Sequence, residues 1–220
     1  MPEETRQFLS GFRARLGRDT IGEEDRMSTM ADPRPWLSGA TEQLSTLVAE
    51  VRPAQLEAPT PCTEFDVRAL LDHVVVMTGC YANLGAGETD AAAATPPPRN
   101  AGDREWAEVY AAEAARLNEA WADGAALDRK MSLPWGELPG REALLGCLLD
   151  TVTHSWDLAR ALGIEDDRLD EELAEKTLEV AREIMPAERR GRPTPFEPVR
   201  PVEPEAPAAR RLAAWLGRWP

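Results

Sequence analysis

The chain has few of the residues that most often carry out catalysis, and it has no long apolar run. Only two of its 220 residues are histidine, and only three are cysteine. An odd number of irregularly spaced cysteines does not form a disulfide framework, so we expect a reducing, cytoplasmic location. No apolar run approaches the roughly 18–20 residues of a membrane span. Residues 1–20 also lack the apolar segment of a secretory signal.

Basic residues are scarce as well. The 25 Lys and Arg residues stand against 39 Asp and Glu, which gives a formal net charge of −14. Phosphate groups would repel so acidic a chain, and we therefore expect neither nucleic acid nor an anionic membrane as a partner. Solubility alone also explains this balance. The apolar fraction of 43% is enough for a real core, and the length fits one domain with a small appendage.

Four long segments repeat apolar residues at steps of three and four, which predicts an all-α fold. The predicted helices span about residues 35–51, 64–83, 103–122 and 141–162. Thr63 is the expected N-cap of the second helix, with Asp66 three residues on. Gly163 is the expected C-cap of the fourth.

Shorter elements complete the prediction. Residues 85–102 read as a flexible loop, and residues 131–140 as an extended hairpin or strap before the fourth helix. Two further helices are expected over 169–185 and 208–216, joined by a Pro-rich extended segment.

We divide the chain into three parts. Residues 1–30 are polar and weakly periodic, which predicts a disordered extension, with an upstream start codon chosen in error as a further explanation. Residues 31–164 form the four-helix bundle, an architecture that holds metal sites in its core or at one end. Residues 165–220 form a C-terminal helix and a Pro-rich tail packed on the bundle.

The two histidines and one aspartate suggest a metal site. Asp150 and His154 are four residues apart on the fourth helix and therefore share a face. His73 lies in the apolar run of the second helix. If these helices pack side by side, two imidazoles and a carboxylate converge, with an open position for water or substrate. The alternative is that these residues bind no metal. Asp/His pairs at this spacing often occur by chance, and both histidines could be core residues.

Two sequence motifs resemble a known family. Residues 60–74, TPCTEFDVRALLDHV, resemble the start of the second helix in the DinB-like superfamily, closest to the metal-binding domain of mycothiol-dependent maleylpyruvate isomerase. Residues 154–161, HSWDLARA, look like the second motif of the same branch. The strap at 133–136 and the tail at 206–218 look like an uncharacterised actinobacterial metal-binding subgroup.

The resemblance implies a DinB-like four-helix bundle with one divalent metal, usually zinc, with nickel as the alternative. The ligands it implies are His73, Asp150 and His154. The isomerase has Glu where this chain has Asp150, so the shorter carboxylate must approach more closely or bind through water. Mycothiol is the implied cosubstrate.

Residues near the predicted ligands have two interpretations each. In the isomerase branch the residue matching Asp157 is tied to an Arg that helps to shape the thiol pocket; an i,i+3 pair with Arg160, worth about 0.3–0.5 kcal/mol, is the plainer reading. Cys80 and Cys147 are each about two turns, roughly 10 Å, from a histidine. Core packing is therefore favoured over metal ligation for both thiols, and packing is also favoured for Trp156.

The leading prediction is a metal-dependent enzyme that uses a low-molecular-weight thiol, mycothiol, against a small electrophile, as a transferase or isomerase. The metal would hold the thiol as its thiolate, which is the nucleophile. No side chain is assigned as nucleophile, because neither a Ser-His-Asp nor a Cys-His set can be built once both histidines bind metal. Two alternatives stay open: a hydrolase that uses metal-bound water, and a metal or small-molecule binding protein without turnover. A homodimer is also open.

Overall fold

The computed structural model describes residues 32–88, 105–133, 136–187 and 197–220. Their helices, in chain order, are α1 (Arg34–Ala49), α2 (Val67–Ala86), α3 (Glu105–Ala120), α4 (Ala125–Asp128), α5 (Gly140–Leu162), α6 (Glu171–Ile184) and α7 (Ala208–Trp215). The strands are β1 (Lys130–Leu133) and β2 (Gly136–Pro139). Short 3-10 turns cover Pro53–Gln55 and Asp166–Arg168. None of the helices in these ranges is both long and apolar enough to cross a membrane.

Four helices form the bundle, so the predicted all-α class is confirmed. Helix α1 packs on α3 and α5, and α2 packs on the same two helices, so that the four helices close a ring. Helices α6 and α7 pack on each other and both contact α5. Our division of the chain at residue 164 stays a prediction, and the expected N-terminal extension lies outside the described residues.

Helix α5 is the centre of the fold. Nearly all of its residues from Ala143 to Ala159 are buried, because the bundle covers one side and α6 and α7 cover the other. Buried hydroxyl groups need partners in such a position. Thr151, Thr153 and Ser155 donate to the carbonyl oxygens four residues earlier, at 2.9, 2.6 and 2.9 Å respectively. The helix can therefore carry polar residues through the core.

The start of α2 differs from the prediction. Asp66, and not Thr63, is the N-cap: its carboxylate accepts a hydrogen bond from the Ala69 N–H at 2.8 Å. Both residues fit the capping pattern, but Asp66 has the extended backbone of a cap, and Thr63 lies exposed in the preceding turn. Helix α2 therefore begins at Val67, three residues later than the predicted start at residue 64.

The other boundaries shift by a few residues. Helix α2 continues to Ala86 and ends at Gly87, whose φ is 86°, so the predicted flexible loop begins later than residue 85 and lies mostly outside the described residues. Gly163, with a φ of 74°, ends α5 as expected. The predicted hairpin is confirmed as the antiparallel pair β1–β2, in which Met131 lies opposite Leu138. Sequence reasoning missed the single-turn helix α4.

Candidate metal site

The structure brings together all three predicted ligand residues. His73 lies one and a half turns into α2, while Asp150 and His154 lie on successive turns of α5, which packs against α2. One ligand atom from each residue lies within 4.8 Å of the other two. All three residues are buried, with side-chain exposures of 3% for His73, 7% for Asp150 and 4% for His154.

The spacing of these atoms suits a metal better than a hydrogen bond. Asp150 Oδ1 lies 3.4 Å from His73 Nε2 and 3.5 Å from His154 Nε2. A charge-assisted hydrogen bond would be roughly 2.7–2.9 Å long. Bonds of about 2.0–2.1 Å from zinc to nitrogen and oxygen place neighbouring ligands of a tetrahedron about 3.3–3.4 Å apart. The donor set of two imidazoles and one carboxylate therefore fits zinc and leaves a fourth position open.

The two imidazoles and the carboxylate strongly perturb one another. Burial raises the pKa of Asp150, but the charges of His73 and His154 lower it more, so the pKa of this carboxyl lies well below its usual range. Burial lowers the pKa of His154, but Asp150 and then Asp157 raise it more, to about 9. In the metal-free protein at neutral pH, His154 is therefore an imidazolium beside two carboxylates.

Asp157 orients His154. Its Oδ2 lies 3.0 Å from His154 Nδ1, and the side chain of Asp157 is completely buried. Burial raises the pKa of Asp157, but Arg218 and then His154 lower it more, so the carboxyl is ionised and only accepts. His154 Nδ1 therefore carries the proton, which leaves Nε2 on the side of Asp150. A carboxylate behind a histidine in this way is the usual support of a metal-binding imidazole.

Arg218, and not Arg160, is the basic partner of Asp157. The guanidinium of Arg218 donates to Asp157 Oδ1 at 3.2 Å and to Oδ2 at 3.0 Å, whereas Arg160 is exposed. The i,i+3 pair is therefore wrong. Arg160 points to solvent, whereas Asp157 faces the core. A basic partner for Asp157 therefore has to come from another element of the fold.

A glycine turn brings Arg218 back to the site. Gly217 follows the end of helix α7, and its φ of 90° favours glycine. The Arg218 N–H donates to the Ala213 carbonyl at 2.9 Å. A Cβ at Gly217 would lie 2.6 Å from the Cβ of Glu197. The chain therefore reverses at a position where a side chain does not fit, and Arg218 turns back toward α5.

Phe65 is part of the site, although sequence reasoning did not single it out. Its ring centroid lies 4.9 Å from that of His73 and 6.0 Å from that of His154, and the residue is only partly buried. The two imidazoles are themselves 4.8 Å apart at 75°. An apolar residue next to an N-cap carries no signal of chemistry in the sequence. Its position within the TPCTEFD motif was the one available clue.

The remaining candidates have structural surroundings. Burial raises the pKa of the Cys62 thiol to about 11 and that of the Cys147 thiol well above its usual range, so both are neutral thiols at neutral pH. Trp156 is buried, and its indole N–H donates to Asp166 at 3.1 Å. Asp72, next to His73 in sequence, is partly buried and lies outside the ligand cluster.

Two curated relatives cover nearly the whole chain. Both are uncharacterized proteins of Mycobacterium tuberculosis, one from each of two strains, and each is 36% identical to this chain over 187 residues. The match covers 85% of this chain and 98% of each relative.

The solved structures that match confirm the fold. They are crystal structures of the mycothiol-dependent maleylpyruvate isomerase and of a variant in which alanine replaces a histidine, with TM-scores of 0.51 and 0.52. Each is 18% identical in sequence and covers 66% of this chain. The present chain matches 65% of the length of the isomerase, and at this identity the likeness is one of fold.

The family is established by a sequence match over more than half of the chain. Residues 37–159, from α1 to the end of the HSWDLA segment, match the family described as "Mycothiol maleylpyruvate isomerase N-terminal domain". This range contains His73, Asp150, His154 and Asp157, and the resemblance stated from the two motifs is confirmed. The chain belongs to the mycothiol maleylpyruvate isomerase N-terminal domain family.

Proposed function

We propose that the protein binds one divalent metal ion, zinc in the first place, through His73, Asp150 and His154. The observation that carries this proposal is the buried donor set with a carboxylate support, in which Asp157 holds His154 Nδ1 at 3.0 Å and so directs Nε2 toward Asp150. Asp150 stands where the isomerase has the longer Glu. Its Oδ1 is 3.4 and 3.5 Å from the two imidazole Nε2 atoms, a separation that suits neighbouring ligands of one metal ion.

We further propose that the protein works with a low-molecular-weight thiol, mycothiol, as its cosubstrate, and acts on a small electrophile as a transferase or isomerase. Zinc at this site would hold a thiol as its thiolate, because coordination deprotonates a thiol. The chain's own residues bind that metal, exclude bulk water by their burial, and fix the proton of His154 at Nδ1. The family match and the fold of the isomerase support this proposal.

The thiols of the chain argue for an external nucleophile. Cys62 and Cys147 have raised pKa values and stay protonated, so neither is a ready nucleophile at neutral pH. Both histidines lie within the ligand cluster, so neither is left to activate a thiol or a hydroxyl. An exogenous thiol would supply the nucleophile that Cys62, Cys147 and the two histidines do not.

The charges of the site favour an anionic ligand at the open position. Asp150 and Asp157 would balance two of the three positive charges of a dication and Arg218, since His154 must be neutral when it binds metal. One positive charge remains, and the binding of a single anion makes the site neutral. A buried site that is neutral costs less free energy than one with a net charge. Both a thiolate and a hydroxide meet this condition, so the thiol has to be tested directly.

Rate measurements with and without thiol separate the candidate functions. The zinc-loaded protein is given maleylpyruvate or the chromogenic electrophile 1-chloro-2,4-dinitrobenzene, with and without mycothiol, beside the metal-free protein and the variants His154→Ala and Asp72→Asn. We expect turnover that needs both metal and thiol, is lost in His154→Ala and persists in Asp72→Asn. A turnover rate that is the same with and without thiol would favour the hydrolase. No turnover of either electrophile would favour a binding protein.

A further inference from the structure

The aromatic ring of Phe65 forms part of the wall between the ligand cluster and solvent. It contacts both imidazoles, with centroid distances of 4.9 Å to His73 and 6.0 Å to His154. The three ligand side chains are at most 7% exposed, while Phe65 itself is partly exposed. The ring of Phe65 is therefore the apolar surface that a molecule would meet on this side of the two imidazoles.

The loop holds this ring in a fixed position. The Phe65 N–H donates to the Cys62 carbonyl at 2.9 Å, and the Phe65 carbonyl accepts from the Thr60 hydroxyl at 2.7 Å. Pro59 and Asp66 pair across the loop, and Asp66 caps α2. Both backbone groups of Phe65 are thus satisfied inside the loop, which ties the ring to the helix that carries His73.

An aromatic wall discriminates between the two kinds of anion that could fill the open position. A small hydrated anion must give up water against an apolar face that returns no hydrogen bond. A sulfur atom is polarizable, is weakly hydrated and makes favourable contacts with aromatic ring edges. The ring therefore weakens the binding of hydrated anions relative to sulfur ligands.

We propose that Phe65 is a specificity-determining residue of this site, which selects a thiol sulfur over small hydrated anions at the open coordination position. This inference rests on the proposed metal site. It adds a residue of the chain that distinguishes a thiol-using site from a site that activates water with the same three ligands.

Cobalt substitution gives a test that does not depend on turnover. Co²⁺ is bound to the parent, to Phe65→Leu and to Phe65→Ala. Trp36→Ala is the matched control, because Trp36 is also a partly buried aromatic and lies on α1, which carries none of the three predicted ligands. Visible spectra report the cobalt stoichiometry and the dissociation constants of two probes, N-acetylcysteine and the small hydrated anion formate. Far-ultraviolet circular dichroism checks that each variant keeps its helices.

We expect near one equivalent of cobalt in all four proteins and a preference for N-acetylcysteine over formate in the parent. Phe65→Ala should lower that preference about tenfold, and Phe65→Leu should lower it less, because leucine keeps the wall apolar but removes the ring. Trp36→Ala should leave it unchanged. If both dissociation constants change by the same factor in the Phe65 variants, or if the preference stays within twofold of that of the parent, the inference is overturned while the metal site stands. A parent that binds no cobalt would overturn the proposed function and this inference with it.

Discussion

Arg218 and Asp157 lie 61 residues apart in sequence and form a bidentate ion pair behind the candidate metal site, in which Asp157 is fully buried and the Arg218 side chain is 15% exposed. Asp157 in turn holds His154, so the segment after α7 is linked to the ligand cluster through a single carboxylate. Replacing Arg218 leaves the buried carboxylate of Asp157 with His154 as its remaining charged partner, and this costs more than the loss of a surface contact.

Replacing Arg218 should therefore destabilise the protein strongly. For Arg218→Ala we expect a loss of about 3–5 kcal/mol in the free energy of unfolding, measured by urea denaturation of the metal-free protein. Arg160→Ala is the control, since Arg160 is exposed and should change stability by less than about 0.5 kcal/mol. Equal effects of the two variants would contradict the role of Arg218 as the partner of Asp157.

Asp157 should matter for metal affinity as well as for the fold. Asp157→Asn keeps the shape of the side chain but loses the charge that fixes the Nδ1 proton of His154, so we expect zinc affinity to fall about 10–100-fold. Competition with a chromophoric chelator measures this change. Asp72→Asn, which removes a carboxylate next to His73 in sequence but outside the ligand cluster, should bind zinc as the parent does. Unchanged affinity in Asp157→Asn would contradict the supporting role.

Zinc binding should release a proton at neutral pH. The pKa of His154 is raised to about 9 in the metal-free protein, so the imidazolium must lose its proton before Nε2 can bind metal. The apparent affinity should rise about tenfold per pH unit from pH 7 and level off above pH 9. Calorimetric titrations in two buffers of different ionisation enthalpy would report about one released proton at pH 7. No release would mean that His154 is already neutral.

The sign of this shift also sets the stability of the metal-free protein. A raised pKa means that the folded state binds the proton of His154 more tightly than the unfolded chain does. This contribution is fully present below the unfolded value of about 6.5 and is lost as the pH rises through about 9.

The start of α2 offers a matched pair of cap variants. Asp66→Ala should lower the free energy of unfolding by about 1 kcal/mol, because the Ala69 N–H loses its hydrogen bond to the Asp66 carboxylate. Thr63→Ala should be nearly neutral, since Thr63 is exposed and precedes the cap. Thermal or urea unfolding of both variants compares them directly. A larger loss in Thr63→Ala would restore the sequence-based assignment of the cap.

Local spacing predicted the helices and the position of the candidate ligands well. The step of four between Asp150 and His154 places them on one face of any helix, and the scarcity of histidine left His73 as the other imidazole to join them. Their convergence depended on α2 packing against α5, which the amphipathic patterns favour and the structure shows. Their role as metal ligands stays a prediction.

Contacts between distant segments were harder to predict. Arg160 was the nearest basic residue to Asp157 in sequence, and nothing in the pattern showed that Gly217 would turn Arg218 back to the same carboxylate. Phe65 was missed for a related reason, because an aromatic side chain acquires its role only from the rings it meets in the folded protein. The cap was misplaced because Thr63 and Asp66 both satisfy the same short motif.

The most direct test of the central claim is the metal content of the purified protein, measured by mass spectrometry for the parent, His73→Ala, His154→Ala and Asp72→Ala. We predict about one equivalent of zinc or nickel in the parent and in Asp72→Ala. The two histidine variants should hold almost none, while their circular dichroism stays helical. A parent that holds no metal even after reconstitution, or histidine variants that keep a full equivalent, would contradict the proposed metal site.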